Sequence, residues 1–283
     1  MKFLRRSLLF SLGLTVSMSA AAASAPVLPT RGIAAHRGGA ATHPENTLPA
    51  FAEAVRLGAH MIELDVAISR DGVLVLMHDA TVNRTTDGKG KVNDLTLAEL
   101  KRLDAGAWKD RRFSGTRVPT LAEALAMMPR NVWLNVDFKA DARFAGQSAD
   151  AARRVAELVV AMDRLHQVLF AARGGDVAAA KAVAPGLLIC SMDRKPDPAD
   201  YVQAAITARA DFIQLRDCAR DARLPAWIAA LQAAGVRINY FYANDPAEAA
   251  RLLALGVDFV LVDAVGAVMA GQRDLPPVVP VFR

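Results

Sequence analysis

Short apolar runs alternate with helix-forming segments along almost the whole chain, and that alternation restricts the fold more than any other feature of the sequence. Strand-like runs fall at residues 33–35, 61–66, 132–138, 168–171, 187–191, 212–215, 236–242 and 259–262. The segments between them carry legible helix ends. Thr47 is placed to cap a helix over 48–57 that stops before Gly58, Pro225 opens one that ends at Gly235, and Asp245-Pro246 with Glu248 starts one that closes at Gly256. Strands that are each followed by a helix predict an α/β fold, a (β/α)8 TIM barrel.

One region departs from the repeat. Residues 73–77 form a further strand-like run joined to the second strand through Asp71-Gly72, and 83–115 is polar and punctuated by glycine, with one helix near 96–103. An insertion at about 71–117, between the second strand and the second helix, accounts for both. A loop of that length in a compact domain is expected to carry function, here by roofing the carboxyl end of the barrel.

The first 25 residues are of a different kind. Lys2, Arg5 and Arg6 precede an apolar run over 7–20, and Ala21-Ala22-Ala23-Ser24-Ala25 offers small residues for cleavage, so 1–25 reads as a secretory signal peptide cut after Ala23. Its apolar part is too short to span a bilayer. Arg5-Arg6 also fits the opening of a twin-arginine signal, which leaves the export route open. The mature domain over 26–283 is then expected to be periplasmic or secreted. Removing the three basic residues takes the formal charge from +5 to +2, and no Lys/Arg block with interleaved aromatics remains. Nucleic-acid binding therefore has no support, and no transmembrane segment follows the leader. The two cysteines, Cys190 and Cys218, follow or end neighbouring strands; an exported chain permits a disulfide, and a large core equally accommodates two buried thiols.

The chemistry is concentrated early in the chain. His36-Arg37-Gly38, Pro44-Glu45-Asn46-Thr47, Glu63-Leu64-Asp65 and His78-Asp79 lie within one stretch of the sequence. Arg37 can hold an anionic phosphoryl oxygen through its rigid fork of donors. Glu63 and Asp65, two apart on a strand, point to the same side and offer hard oxygens to a divalent cation, with Asp137 from the next strand as a third. His36 and His78 can move protons near neutrality. These residues all fall at the carboxyl ends of predicted strands, where barrels of this class build active sites. Glu123, by contrast, is the far end of a capping box with Thr120, as Glu99 is with Thr96.

These motifs, in this order, resemble those of the glycerophosphodiester phosphodiesterase family, and the similarity continues through Asn83-Arg84-Thr85-Thr86-Asp87-Gly88, Val118-Pro119-Thr120-Leu121, Asn135-Val136-Asp137-Phe138-Lys139, Gly256-Val257-Asp258 and Asp263. The resemblance implies that His36 and His78 are the acid/base pair, that Arg37 and Lys139 bind phosphate, and that Glu63 and Asp65 bind one Mg²⁺ or Ca²⁺. Two positions depart from the family pattern. Asp137 stands where the family usually has Glu, so its shorter side chain is expected to reach the cation through water. Phe241-Tyr242-Ala243-Asn244 replaces a Trp-Thr-Val-Asn-like stretch, so Phe241 is expected to stand in for the aromatic wall that lines the glycerol pocket in the family.

The implied activity is metal-dependent hydrolysis of a small glycerophosphodiester to an alcohol and sn-glycerol 3-phosphate. Two other readings stand beside it: a lysophospholipase D or sphingomyelinase D-like lipid phosphodiesterase, suggested by the spacing of Asp137 and Lys139, and a non-catalytic periplasmic barrel that binds phosphoesters.

Overall fold

The computed structural model describes residues 26–138, 144, 146–272 and 274–282. The expected leader and Lys139 lie outside the described residues. Among those described, the strands are β1 (Gly32–Ala35), β2 (Met61–Ile68), β3 (Leu74–Leu76), β4 (Trp133–Asp137), β5 (Val168–Ala172), β6 (Leu188–Ser191), β7 (Phe212–Arg216), β8 (Arg237–Phe241) and β9 (Phe259–Val262). The helices are α1 (Leu48–Arg56), α2 (Leu97–Leu100), α3 (Leu121–Met127), α4 (Ser148–Ala161), α5 (Gly174–Val183), α6 (Pro198–Thr207), α7 (Leu224–Ala233), α8 (Pro246–Leu255) and α9 (Val265–Gly271).

All strands except β3 pair in parallel, and β1 pairs with both β2 and β9, which closes the ring. The closed parallel barrel with a helix after each barrel strand is a (β/α)8 TIM barrel. The caps form as the local sequence dictates. Thr47 accepts the amide of Ala50 at the start of α1, Thr96 and Thr120 form capping boxes with Glu99 and Glu123, and Gly256 ends α8 at φ 106°, a conformation that favours glycine. β3 runs antiparallel to the end of β2, and β3 and α2 form the excursion that separates β2 from α3.

Side-chain alternation divides the core into two shells. Ile62, Leu64 and Val66 of β2, like Leu134 and Val136 of β4, face the surrounding helices, whereas Met61 and Trp133 pack inside the ring with Phe212 and Phe259. Glu63 and Asp65 share the parity of Met61, and Asp137 that of Trp133, so the same alternation aims all three carboxylates into the barrel. The excursion has its own small core of Ala67, Val75, Met77, Val82, Val92, Leu100, Ala105 and Val118. Cys190 and Cys218 are buried free thiols in separate apolar clusters, Cys190 inside the ring and Cys218 outside it.

The amino end of the ring is plugged. The Arg237 guanidinium lies 5.2, 4.9 and 5.0 Å from the ring centroids of Trp133, Phe212 and Phe259, and 3.6 Å from Asp258. The N-terminal segment closes over it, with Trp133 donating to the carbonyl of Pro29 and Arg237 to that of Thr30. The carboxyl end is left open.

Candidate active site

The first βα turn is built by close packing of backbone on backbone. A Cβ on Gly38 (φ 82°) would meet the backbone of Ala50 at 2.7 Å, so only glycine lets the turn lie against α1. Arg37 itself takes φ 53°, a conformation an L side chain rarely adopts, and three groups hold it there. Its amide donates to Glu63 Oε2 (2.9 Å), its Nη1 to Glu45 Oε1 (2.7 Å), and its Nε lies 3.2 Å from Asp65 Oδ2.

Each residue of Pro44-Glu45-Asn46-Thr47 has a separate task. The carbonyl of Pro44 accepts from Thr47 Oγ1, the hydroxyl that caps α1. Asn46 exchanges two hydrogen bonds with Asp65, Nδ2 to Oδ2 at 2.8 Å and Oδ1 from the backbone amide at 3.0 Å, and so fixes that carboxylate's rotamer. Glu45 accepts from Arg37 and, through both oxygens, from Arg84 (2.8 Å each). Arg84 in turn donates to both oxygens of Asp79 (2.8 and 2.9 Å), the neighbour and partner of His78. Hydrogen bonds from Arg84, with those from His78, pull the Asp79 carboxyl down to about 2.

The three buried carboxylates Glu63, Asp65 and Asp137 place one oxygen each within 4.8 Å of the others. Asp65 and Asp137 face each other directly across the β2–β4 ladder. An all-oxygen, anionic donor set of this size suits a hard divalent cation, and its span is what ligand distances of about 2.3 to 2.6 Å on opposite sides of one Ca²⁺ would bridge. Asp137 belongs to the same cluster despite its shorter side chain, with one carboxylate oxygen within 4.8 Å of those of Glu63 and Asp65.

The two histidines are set up alike. His36 Nδ1 lies 2.7 Å from Asp263 Oδ1, and His78 Nδ1 lies 2.7 Å from Asp79 Oδ1. A carboxylate on Nδ1 fixes the proton there and leaves Nε2 for chemistry. Burial disfavours the charged form of His36, but the bond to Asp263 and the charge of Glu63 outweigh it, and its pKa is raised. Asp263 is held by Asn244, which donates to Oδ2 (3.0 Å) and accepts the Asp263 amide (2.7 Å); its own pKa is lowered, chiefly by the bond to His36.

His36, Arg37, Glu63, His78, Asp137 and Phe241 line one cavity of about 140 Å³ at the open end of the ring. Phe241 meets His36 edge to face, ring centroids 5.1 Å apart. Asp65 stands immediately behind, on Arg37 and Asn46. The structure thus brings together every candidate from the sequence that lies among the described residues. The cavity also takes in Arg194, Gln214 and Arg216, which sequence reasoning missed, although each stands on or just beyond the carboxyl half of a strand, the same signal that singled out the others. Asp263 carried that signal too, since it follows β9 directly and β9 neighbours β1.

Residues 36–267 match the model of the glycerophosphoryl diester phosphodiesterase family. The chain belongs to that family. Its members are phosphoric diester hydrolases. Over 108 residues, 38% of this chain, it is 47% identical to the glycerophosphodiester phosphodiesterase of Caldanaerobacter subterraneus, and the matched stretch spans 44% of that relative's length. The solved glycerophosphodiester phosphodiesterase of Agrobacterium tumefaciens superposes with a TM-score of 0.70 at 29% identity, covering 85% of this chain and 99% of the other. An Oleispira antarctica phosphodiesterase, solved with its product sn-glycerol-3-phosphate, gives 0.74 at 27% identity, with 86% and 96% covered. Neither the lipid-active reading nor the non-catalytic one draws support from these comparisons.

Proposed function

We propose that this chain is a periplasmic, divalent-metal-dependent enzyme that hydrolyses glycerophosphodiesters to an alcohol and sn-glycerol 3-phosphate. The observation that carries the proposal is that two carboxylate-oriented histidines, Arg37 and the acidic cluster face one cavity. Family membership and the product bound to the Oleispira relative support the choice of substrate.

Glu63, Asp65 and Asp137 would hold the cation, Mg²⁺ or Ca²⁺, which when bound supplies positive charge against the phosphoryl oxygens. The remaining work falls to the chain's own side chains. Arg37, locked by Glu45, keeps donors fixed at the phosphate site and lowers the cost of charge that develops there. One imidazole Nε2 takes the proton of the attacking hydroxyl, either that of water, which gives glycerol 3-phosphate directly, or that of the substrate's own glycerol, which gives a cyclic phosphate that water then opens with the two histidine roles exchanged. The bond from phosphorus to the leaving alcohol breaks as the other Nε2–H delivers its proton to the departing oxygen. Asp263 and Asp79 hold the two rings in the tautomer this exchange requires. Phe241 packs edge to face on His36 and walls the substrate cavity beside it.

Release of glycerol 3-phosphate from glycerophosphocholine tests the proposal. Activity should vanish on chelation and return with Mg²⁺ or Ca²⁺; absence of product under every cation condition would overturn it. For location, the exported protein should begin at Ser24, which N-terminal sequencing of a periplasmic fraction reads directly.

A further inference from the structure

The two sides of the cavity differ in charge balance. On the side of β1, β2 and β4, Arg37 is matched by Glu45 and Asp65. On the side of β6 and β7 stand two guanidinium groups, Arg194 three residues beyond β6 and Arg216 at the end of β7. Arg216 has a carboxylate neighbour, Asp217, and lies 5.9 Å from the ring of Phe241. Arg194 is half-buried, and among the described residues it forms no ion pair. Its Nε is buried without a hydrogen-bond partner, and its Nη2 makes one weak contact, 3.7 Å to Met192 Sδ.

A guanidinium whose Nε is withdrawn from water without a partner, while its other nitrogens border a cavity, is placed to meet an anion there. Arg37, with a cation that Glu63, Asp65 and Asp137 would hold, would answer the charge of the diester phosphate. A second cationic site beside the aromatic wall of Phe241 fits a second negative charge on the same substrate. Resting on the function proposed above, we infer that Arg194, with Arg216 at the rim, selects glycerophosphodiesters whose alcohol half carries an anionic group, a carboxylate or a phosphate, over those whose alcohol half is neutral or cationic.

Glycerophosphoserine and glycerophosphoethanolamine test this, because they differ by a single carboxylate. Wild-type kcat/KM should favour the serine ester by about 10-fold or more, the scale of a charge-assisted hydrogen bond. Arg194→Gln should collapse that ratio toward one, and Arg194→Lys, which keeps the charge without the fork, should restore part of it. The ratio is unaffected by partial loss of folded enzyme, so it reads recognition and not stability. A wild-type enzyme that treats the two esters alike, or an Arg194→Gln variant that keeps the wild-type ratio while both rates fall, overturns the inference; the second result would place Arg194 on the diester phosphate or against the acidic cluster instead. Failure to release glycerol 3-phosphate from either ester would overturn the underlying function as well, so the two failures are distinct.

Discussion

The two ends of the barrel each hold a half-buried arginine, and they treat it in opposite ways. At the amino end Arg237 is enclosed by three aromatic faces, a carboxylate at 3.6 Å and a backbone carbonyl, all supplied by the chain itself. At the carboxyl end Arg194 borders a cavity with part of its guanidinium unmatched. One residue type is structural where the fold completes its surroundings and receptive where the fold stops short. The amino end should therefore answer for stability and the carboxyl end for activity.

The largest expected effect lies at the carboxyl end. His36→Ala and His78→Ala should each lose roughly 10² to 10⁴ in turnover, the range for a positioned acid or base, with little change in melting temperature. A p-nitrophenyl ester refines the result, because its leaving group needs little protonation. The variant lacking the general acid should recover most of its rate on that substrate, while the variant lacking the base should not. Equal recovery by both would remove the separate roles.

Next in size is Asn46→Ala. It deletes both hydrogen bonds that hold Asp65 and should weaken metal binding by about 10- to 100-fold, as loss of an outer-shell partner typically does. Titration calorimetry with the divalent ion measures this apart from turnover; wild-type affinity would mean that Asn46 does not orient a metal ligand.

The amino end supplies the counter-test. Arg237→Ala should cost about 1 to 3 kcal/mol of stability through lost cation–π and packing contacts, seen as a fall of several degrees in the thermal midpoint. The kcat at 25 °C should be retained. Loss of turnover in the folded variant would break the division between the two ends.

Two smaller effects sharpen it. Asp137→Glu adds a methylene where the three carboxylates already converge within 4.8 Å, so the metal concentration for half-maximal activity should rise several-fold; a fall would instead mean that Asp137 acts through water. Asp263→Asn removes the hydrogen-bonded charge that helps raise the His36 pKa, so the limb of the pH–rate profile that reports His36 should move to lower pH whether His36 acts as acid or base. The same pair sets a stability signature. A histidine whose folded pKa is raised contributes stability that is complete below its unfolded value, about 6.5, and is lost as pH rises through the folded value. The stability gap between wild type and Asp263→Asn should therefore be wider at pH 5.5 than at pH 8.5, and a gap that widened toward alkaline pH would contradict the assignment.

Local order made much of this readable in the sequence. The strand periodicity placed each barrel strand to within a residue or two, and Thr47, Thr96 and Thr120 announced helix starts because a cap and its amide are three residues apart. Glu63 and Asp65 could be assigned to one face because strand parity is fixed. The side-chain partners that ring closure brings together were the part left unreadable. His36 and Asp263 are separated by 227 positions and meet only because β9 returns beside β1. Arg194 shares only the strand-end position with the other site residues and belongs to no motif; it becomes informative once the cavity shows which charges lack a match. The register that sets Asp137 directly opposite Asp65 was likewise not readable, because it depends on how β2 pairs with β4.

Arg84 carries a consequence for how such a molecule can change over time. It grips Glu45, in the segment after β1, and Asp79, in the excursion after β3, with two hydrogen bonds to each. The spacing between the two proton-handling rings is thereby governed by a strut between side chains and not by the length of chain that joins them. Changes in the loop beyond Gly88 that leave Arg84 in place should therefore disturb the spacing of His36 and His78 less than loss of Arg84 itself.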